Sequence, residues 1–309
     1  MAGTRPGRYT TEVASDPVVP PAPSTIDLHT HTRRSDGILE PSDLVGEAAA
    51  VGVRILSITD HDTLAGYREL HAAGAVPDGL ELIPGVEINA VVGAGDGLWE
   101  SELHILGLGM DPDDAAFEAQ LGAQRGQRRV RFERILARLR QIGMPIDAAL
   151  DGQGVRDDDA LGRPMVARGL VATGHADSVE DAFQRWLGKD MPAYVPRDGL
   201  GPAQAIAAIR AAGGLPILAH LGEAAERIGT VRELVERGLG GLEVYYRSFD
   251  RATVESVKAV AEELRLVPTG GTDYHGDLGP YAEAHAALWV PPEVGDAVHQ
   301  ALTEARPTR

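Results

Sequence analysis

The chain has 309 residues and a formal net charge of −17, which arises from 29 basic and 46 acidic side chains. An acidic surface repels a long polyanion, so we expect no binding of long nucleic acids, whereas a small phosphorylated substrate is compatible with this charge. The composition is 43% hydrophobic, and no apolar run reaches the roughly 20 residues that span a membrane. We therefore expect a cytoplasmic protein without membrane contact, and the sequence indicates no particular oligomeric state.

Residues 1–24 are rich in Pro, Thr, Ser and Gly and contain no apolar segment of the kind found in signal peptides. They are predicted to form a disordered tail. The chain contains no cysteine, which excludes disulfides and thiolate ligands. Any metal ion must therefore be held by imidazole and carboxylate groups, which suit Mn, Fe or Zn, with Mg also possible.

Short apolar runs alternate with helical patterns along most of the chain. The runs lie at 25–28, 53–59, 80–84, 102–108, 215–219, 241–246 and 266–270. The intervening helices are predicted at 41–51, 63–74, 202–213, 230–238 and 251–264. Between residues 111 and 195 the alternation stops, and helices are predicted at 115–142, 164–173 and 179–188.

This order of elements predicts an α/β fold, because strands that alternate with helices form a parallel sheet whose faces are covered. Seven runs indicate a distorted (β/α)7 barrel with an inserted helical cap. We assign the barrel to residues 25–110 and 196–290 and the cap to residues 111–195. Residues 291–309 are predicted to form a C-terminal helix and tail.

Two histidines, His29 and His31, stand at the end of the first apolar run. In an extended chain, residues i and i+2 point to the same side, so both imidazoles aim at one point. Asp273 and His275 repeat this spacing after the last run. The glycines at 270 and 271 are predicted to let the backbone turn sharply just before these ligands.

Further histidines and carboxylates lie at or near the ends of the other runs. In an αβ barrel the carboxyl ends of the strands converge on one mouth, so these side chains are expected to meet there. The nine candidate metal ligands are His29, His31, Asp36, His61, Glu87, His104, His220, Asp273 and His275. Nine ligands are too many for one tetrahedral zinc, and two or three divalent ions with a bridging carboxylate are predicted. The other histidines, His71, His175, His285 and His299, are expected to have surface or packing roles.

These motifs resemble those of the PHP superfamily (polymerase and histidinol phosphatase). The matching segments are His29-x-His31 and residues 35–37, 59–62, 85–88, 218–220 and 271–275, in this order. Residues 162–164 and 194–197 are further similar to the branch of stand-alone phosphoesterases that includes 3′,5′-nucleoside bisphosphate phosphatases and relatives acting on nucleotides or RNA ends. The resemblance implies a distorted (β/α)7 barrel with a helical cap, in agreement with the pattern of elements.

The resemblance also implies how the ligands divide among three metal ions. The first ion would be held by His29, His31, Glu87 and Asp273, the second by Glu87, His104 and His220, and the third by Asp36, His61 and His275. Asp60 is expected to orient His61 or a neighbouring ligand. His220 and His275 are candidate proton donors to the leaving group, but metal ligation would make them unavailable, so the sequence leaves the general acid unassigned. These two residues and Asp60 are the catalytic candidates.

The predicted helix over 115–142 carries a basic stripe in an otherwise acidic chain. Its Arg128 and Arg131, spaced i and i+3, match cap arginines of relatives and are expected to bind a substrate phosphate. The chain departs from the family at Met165, where relatives usually carry His, and at Met191, where they often carry Lys. Both positions are expected near the substrate.

The expected reaction is hydrolysis of a phosphate monoester of a small molecule by a metal-activated water. The substrate is most naturally a nucleotide, such as a 3′,5′-bisphosphonucleotide or a nucleoside monophosphate. An exonuclease acting on short RNA or DNA ends would share this chemistry and differ in how open the cap is. An amidohydrolase usually has a bridging Lys where this chain has Glu87, and a non-catalytic PHP module tends to lose ligands that are present here.

Overall fold

A computed structural model describes residues 22–91, 103–151, 156–276 and 279–305 of the chain. It contains seven strands: β1 (Ile26–Asp27), β2 (Ile55–Ile58), β3 (Glu81–Ala90), β4 (Leu103–Leu108), β5 (Leu215–Leu218), β6 (Gly241–Tyr246) and β7 (Val267–Gly271). They form one sheet in sequential order. The seven predicted runs are thus confirmed as strands, while most of the predicted tail and the first residue of the fourth run, Glu102, lie outside the described residues.

The helices also follow the predicted order. They are α1 (Pro41–Ala50), α2 (Ala65–Ala73), α3 (Ala115–Gln141), α4 (Asp147–Leu150), α5 (Arg163–Ala172), α6 (Val179–Ala182), a π-helical segment (Phe183–Leu187), α7 (Pro202–Ala211), α8 (Ile228–Glu236), α9 (Arg251–Leu264), α10 (Tyr281–Ala286) and α11 (Glu293–Ala305). Proline stands in the first turn of α1, α5 and α7, where its missing N–H is not needed. No helix in the described parts of the chain is long and apolar enough to cross a membrane.

Strand β4 runs against the direction that was predicted for all strands. The β1–β2–β3 and β5–β6–β7 pairs are parallel, but β4 is antiparallel to both β3 and β5. The expectation of a wholly parallel sheet is therefore wrong, because the alternation of side chains along a strand is the same for either chain direction. The reversal places the start of β4 at the mouth of the barrel, and His104 is the second residue of that strand.

The sheet closes where β7 meets β1. The amide of Leu28 donates to the carbonyl of Gly270 at 3.0 Å, and the amide of Asp273 donates to the carbonyl of His29 at 2.7 Å. A Cβ on Gly271 would lie 2.6 Å from the His29 backbone nitrogen, and one on Gly270 would lie 2.4 Å from the carbonyl oxygen of Tyr245. Neither glycine has a positive φ, so the predicted sharp turn is wrong. These glycines let neighbouring strands approach closely.

Gly271→Ala is expected to destabilise the protein by about 1–3 kcal/mol or more, because the added methyl group would overlap the backbone and Cβ of His29. It should also weaken metal binding, since His29 is the neighbour that must shift. Gly229→Ala in α8 is the control, because a methyl group there meets nothing within 4 Å, and it should be neutral or slightly stabilising. Thermal unfolding of both variants measures the difference, and equal melting temperatures would contradict the close approach.

The two halves of helix α3 pack in two different hydrophobic cores. Its first half contributes Phe117 and Leu121 to the core that surrounds the barrel strands. Its second half contributes Phe132 and Ile135 to a separate core built entirely from residues 132–195. One continuous helix thus fastens the helical segment to the barrel. The exact division at residues 111 and 195 stays a prediction, because α3 belongs to both cores.

Candidate metal centre

The structure brings all nine predicted ligands together in three adjoining groups at one mouth of the barrel. In each group, one donor atom from every residue lies within 4.8 Å of the others. The groups are His29, His31, Glu87 and Asp273; Glu87, His104 and His220; and His31, Asp36, His61 and His275. This arrangement differs from the implied one only because His31 also belongs to the third group.

Glu87 lies at the centre of the three groups and is 1% exposed. Its Oε1 faces Nδ1 of His104 at 2.7 Å and Nε2 of His220 at 3.3 Å. Its Oε2 faces Nε2 of His31 at 3.1 Å and Nδ1 of His61 at 3.0 Å. Because the two oxygens serve different histidines, this carboxylate has the geometry of a bridging ligand.

Several buried nitrogen and oxygen atoms of the candidate ligands have no hydrogen-bond partner among the described residues. They are Nε2 of His29, Nε2 of His31, Oδ1 of Asp36 and Nδ1 of His61. Buried polar atoms are normally paired, so four unpaired ones in a single cluster require an explanation. Imidazole nitrogens and carboxylate oxygens are donors that divalent cations take in proteins. The residues therefore fit divalent metal ions.

Three residues at this mouth hold a left-handed backbone that non-glycine residues rarely adopt. The φ angles are 51° at Asp62, 35° at His220 and 49° at Asp273. Such conformations cost about 1–3 kcal/mol each and persist only where the surroundings enforce them. The amide of Asp62 donates to the Glu87 carbonyl at 3.0 Å, and the amide of His220 donates to a carboxylate oxygen of Glu243 at 2.7 Å. The site is thus held by its backbone as well as by its side chains.

The charged groups shift one another's pKa values strongly. Burial alone would raise the pKa of the Asp36 carboxyl, but His61 and His275 hold it well below its usual range. Burial would lower the pKa of His275, but Asp36 and Asp273 outweigh burial and raise it to about 10. For His61, burial outweighs Asp36 and Glu87 and lowers the pKa to about 4. Without metal at neutral pH, His275 is therefore protonated and His61 is neutral.

Binding of Mn²⁺ at pH 7 is expected to release at least one proton, because His275 must lose its proton before it can coordinate a cation. Since the proton competes with the metal, the apparent affinity should rise about tenfold per pH unit for each proton displaced, up to about pH 10. Calorimetric titration in buffers of different ionisation enthalpy counts the protons. His275→Gln should reduce the count by one, whereas His299→Gln should not. An affinity independent of pH between about 6 and 9 would contradict the protonated state.

Asp60 lies behind the ligands instead of among them. Its Oδ1 accepts hydrogen bonds from the Thr32 amide and the Ser35 hydroxyl, both at 2.7 Å, and its Oδ2 accepts one from the Thr32 hydroxyl at 2.6 Å. These bonds fasten the turn that joins His31 to Asp36. Asp60 therefore orients the segment between two ligands, and this position favours a structural role over the predicted catalytic one.

The two other catalytic candidates point into the metal groups. Nδ1 of His275 donates to the backbone carbonyl of Asp273 at 3.0 Å, which leaves Nε2 facing Asp36 at 3.3 Å. Nε2 of His220 lies 3.3 Å from Glu87 and 3.1 Å from His104. This geometry favours the ligand role for both imidazoles over the predicted role of proton donor.

A cavity of about 280 Å³ lies over the metal groups, with cap residues on its far side. Arg128 lines it, donating from Nε to Asp62 at 2.5 Å and hydrogen bonding to Asn89 as well. Arg131 lies elsewhere: its Nε donates to the carbonyl of Val195 at 2.8 Å, and it lines a separate cavity of about 260 Å³. The position of Arg128 suits the predicted substrate contact, and the position of Arg131 does not.

Two further arginines line the same cavity and were not predicted as substrate contacts. Arg163 and Arg197 belong to the segments 162–164 and 194–197, which resemble those of stand-alone phosphoesterases. Phe183 also lines the cavity. The Arg163 guanidinium stands 5.4 Å from the centre of the Phe183 ring. Met165 is instead 7% exposed within the cap core, and neither it nor Met191 is among the lining residues. The positively charged cavity-lining side chains outside the metal groups are therefore those of Arg128, Arg163 and Arg197, and the two methionines are not part of the lining.

Residues that support the ligands were also missed. Glu243, Asn89 and Tyr246 each contact a predicted ligand through a hydrogen bond. A signal existed for Glu243, because a carboxylate within an apolar run is costly to bury unless it has a partner. The four remaining histidines lie apart from the metal groups: His285 bonds to Ser24, His299 to Glu81, His71 stacks on Tyr67, and His175 accepts from Trp186 through its carbonyl.

Several known proteins are similar to this chain in sequence and in fold. A family model described as the PHP domain matches residues 27–128. A 5′-3′ exoribonuclease of Haemophilus influenzae is 34% identical over 258 residues, which are 82% of this chain and 90% of that protein. A 3′,5′-nucleoside bisphosphate phosphatase of Chromobacterium violaceum is 32% identical over 267 residues, which are 82% of this chain and 87% of that protein.

A solved structure shows the same architecture. A proposed metal-dependent phosphoesterase of Bifidobacterium adolescentis superimposes with a TM-score of 0.79 at 29% identity, covering 91% of this chain and 97% of that one. The two relatives are named as phosphoester hydrolases, which argues against a non-catalytic module, whereas a solved structure from Chromobacterium violaceum that superimposes with a TM-score of 0.77 at 28% identity is described as an amidohydrolase. The barrel, the metal groups and these likenesses agree: the chain belongs to the PHP family and is a metal-dependent phosphoester hydrolase.

Proposed function

We propose that the protein hydrolyses a phosphate monoester of a nucleotide, with 3′,5′-bisphosphonucleotides and nucleoside monophosphates as the first candidates. The observation that carries the proposal is the placement of Arg128, Arg163 and Arg197 around one cavity with the three metal groups. A phosphate in this cavity would meet these three arginines as well as the metal centre. In a protein of net charge −17, such a local concentration of arginine is suited to an anionic substrate.

The chain's own residues would bind and orient the phosphate. Divalent ions held by the nine ligands would supply positive charge to the phosphoryl oxygens and activate the attacking water. Guanidinium groups bind phosphate oxygens through paired, charge-assisted hydrogen bonds that fix its orientation. Because Arg128 is buried and Arg163 and Arg197 are half-buried, their attraction for the phosphate is stronger than it would be at a fully exposed surface.

The space beside the metal groups is large enough for the sugar and base of a nucleotide as well as its phosphate. The cavity of about 280 Å³ adjoins a groove of about 890 Å³, and Tyr246, Asp273 and His275 line both. The groove runs between cap residues 178–180 and barrel residues 246–248 and 279–287. A phosphate and its sugar match the smaller space, and the rest of a nucleotide would extend into the groove.

This groove also favours a second candidate, an exoribonuclease that removes nucleotides from an RNA end. The Haemophilus influenzae relative is named a 5′-3′ exoribonuclease. The expectation that long nucleic acids are excluded rests on net charge alone, whereas the groove offers room for a chain that continues past the first nucleotide. Both candidates use the same metal centre and differ in what occupies the groove.

A substrate panel separates the two candidates. Phosphate and nucleotide release would be measured with Mn²⁺ for 3′,5′-bisphosphoadenosine, 5′-AMP, 3′-AMP and 5′-phosphorylated oligoribonucleotides, each with a chelator control. Phosphate release from mononucleotides supports the phosphatase, and mononucleotide release from oligoribonucleotides supports the exoribonuclease. Failure of every nucleotide to react, while the protein binds Mn²⁺, would overturn the nucleotide substrate.

Arg163→Ala is expected to reduce kcat/KM about 10- to 100-fold, because one charge-assisted hydrogen bond contributes about 1.5–3 kcal/mol. Most of the change should appear in KM, since Arg163 lines the cavity without belonging to a metal group. Arg185→Ala is the matched control, because that exposed side chain pairs with Asp181 and lies over Trp186. Equal kinetics for both variants would remove Arg163 from the substrate site.

A further inference from the structure

Strand β6 contributes none of the nine predicted ligands, yet two of its side chains contact three of them. Glu243 is fully buried, and its Oε1 lies 3.0 Å from Nδ1 of His29. Its other oxygen accepts a hydrogen bond from the backbone amide of His220 at 2.7 Å. The Tyr246 hydroxyl donates to Oδ2 of Asp273 at 3.1 Å. One strand thus supports ligands that come from the segments after β1, β5 and β7.

An irregularity in β6 makes this double contact possible. In a regular strand, residues 243 and 246 would point to opposite faces of the sheet. Here Glu243 pairs with Thr269 and Tyr245 pairs with Gly270, so β6 advances by two residues while β7 advances by one. This is a β-bulge, which redirects the side chains that follow it. The bulge turns Tyr246 to the same face as Glu243, and a Cβ at Gly270 would collide with the Tyr245 carbonyl.

We propose that Glu243 and Tyr246 are positioning residues that hold His29, His220 and Asp273 in their metal-binding orientations. A carboxylate at Nδ1 of His29 fixes the proton there, so that Nε2 presents its lone pair. That Nε2 lies 3.4 Å from Glu87 and 3.3 Å from Asp273, within the first metal group.

The second oxygen of Glu243 acts on a different metal group. It holds the amide of His220, whose φ of 35° is unfavourable for a residue with a side chain. His220 belongs to the group with Glu87 and His104. Tyr246 occupies Oδ2 of Asp273 and leaves Oδ1 facing His29 and His31. The bulge therefore couples the geometry of the first and second groups, while the group containing Asp36 and His61 is supported from other strands.

The inference depends on the metal centre of the proposed function and not on the nucleotide substrate. It is tested on the full chain by metal binding, with Glu243→Gln and Tyr246→Phe. Titration calorimetry with Mn²⁺ gives affinities and stoichiometry, and the visible absorption of the Co²⁺-loaded protein reports coordination geometry. Glu243→Gln should weaken Mn²⁺ binding about 10- to 100-fold at two of the three groups and change the Co²⁺ spectrum. Tyr246→Phe should have a smaller effect in the same direction.

Tyr245→Phe is the matched control, because adjacent residues of a strand point to opposite faces and Tyr245, unlike Tyr246, is not among the residues that line the cavity over the metal groups. It should bind Mn²⁺ like the unaltered protein. Wild-type affinity and an unchanged Co²⁺ spectrum in folded Glu243→Gln would overturn the proposal. If Glu243→Gln does not fold, Tyr246→Phe decides alone, because it removes only a hydroxyl group, and wild-type binding would then overturn the proposal. Normal metal binding combined with inactivity on all nucleotides would refute the proposed substrate and leave this inference intact.

Discussion

Glu87→Gln is expected to reduce phosphoester hydrolysis by at least about 10³-fold, which corresponds to roughly 4 kcal/mol of transition-state stabilisation. Both carboxylate oxygens of Glu87 face imidazoles, Oε1 towards His104 and His220 and Oε2 towards the histidines of the other groups. A glutamine of the same shape offers one oxygen and one N–H donor, so it cannot bridge two cations. The variant should therefore bind fewer ions per chain, and elemental analysis of the purified protein measures this.

The control for this substitution lies in the same strand. Glu81→Gln removes the exposed carboxylate at the start of β3, which pairs with His299, and should leave both metal content and activity unchanged. Because the Glu87 substitution preserves side-chain volume, the variant should stay folded by circular dichroism. A Glu87→Gln protein with full metal content and full kcat would show that Glu87 does not bridge the ions.

Saturation with Mn²⁺ is expected to raise the melting temperature of the chelator-treated protein by roughly 5–10 °C. Six histidines and three carboxylates form preorganised groups in the folded chain only, so the ions stabilise that state by about 4 kcal/mol at a thousandfold excess over Kd. In a chain of this size, each kcal/mol corresponds to about 2 °C. Thermal unfolding with and without Mn²⁺ measures the shift, and Glu87→Gln should show a smaller one.

The same experiment has a predicted pH dependence. In the metal-free protein, the pKa of His275 is raised from 6.5 to about 10 by Asp36 and Asp273 against the effect of burial. A raised pKa contributes stability that is fully present below about pH 6.5 and is lost as the pH rises through about 10. The metal-free protein should therefore lose stability over this range, and the shift caused by Mn²⁺ should grow. A shift that shrinks with rising pH would contradict this assignment.

The ligand set was predictable because it depends on local spacing and on one general rule of barrel geometry. His29 and His31 share a side of the chain by their separation alone, and Asp273 and His275 repeat that spacing. The convergence of strand ends then brings distant segments to one mouth. This rule needs only the positions of the strands, and apolar periodicity supplied those to within a few residues, except that β3 continues beyond its predicted end at residue 84 to Ala90.

The local sequence pattern did not predict which side chains of a helix or loop face the cavity, because this depends on how the helix or loop is oriented in the fold. Arg128 and Arg131 are three residues apart on α3, but only Arg128 lines the cavity, whereas Arg131 donates to the carbonyl of Val195. Arg163 lies within a recognised motif, yet its place beside the cavity is seen only in the tertiary structure. Asp60 lies behind the candidate ligands, and its partners, Thr32 and Ser35, are visible only in three dimensions.

The sequence by itself determined the class of fold, the order of the strands and which side chains are the candidate metal ligands, because these follow from periodicity and from side-chain chemistry. Only the tertiary structure decided the reversed direction of β4, the closeness of β7 to β1 at Gly271, and the bulge that brings Glu243 and Tyr246 to one face. Each of these depends on how two distant strands pair. The register and direction in which two strands pair depend on contacts between both segments. They therefore cannot be read from the sequence of either segment alone.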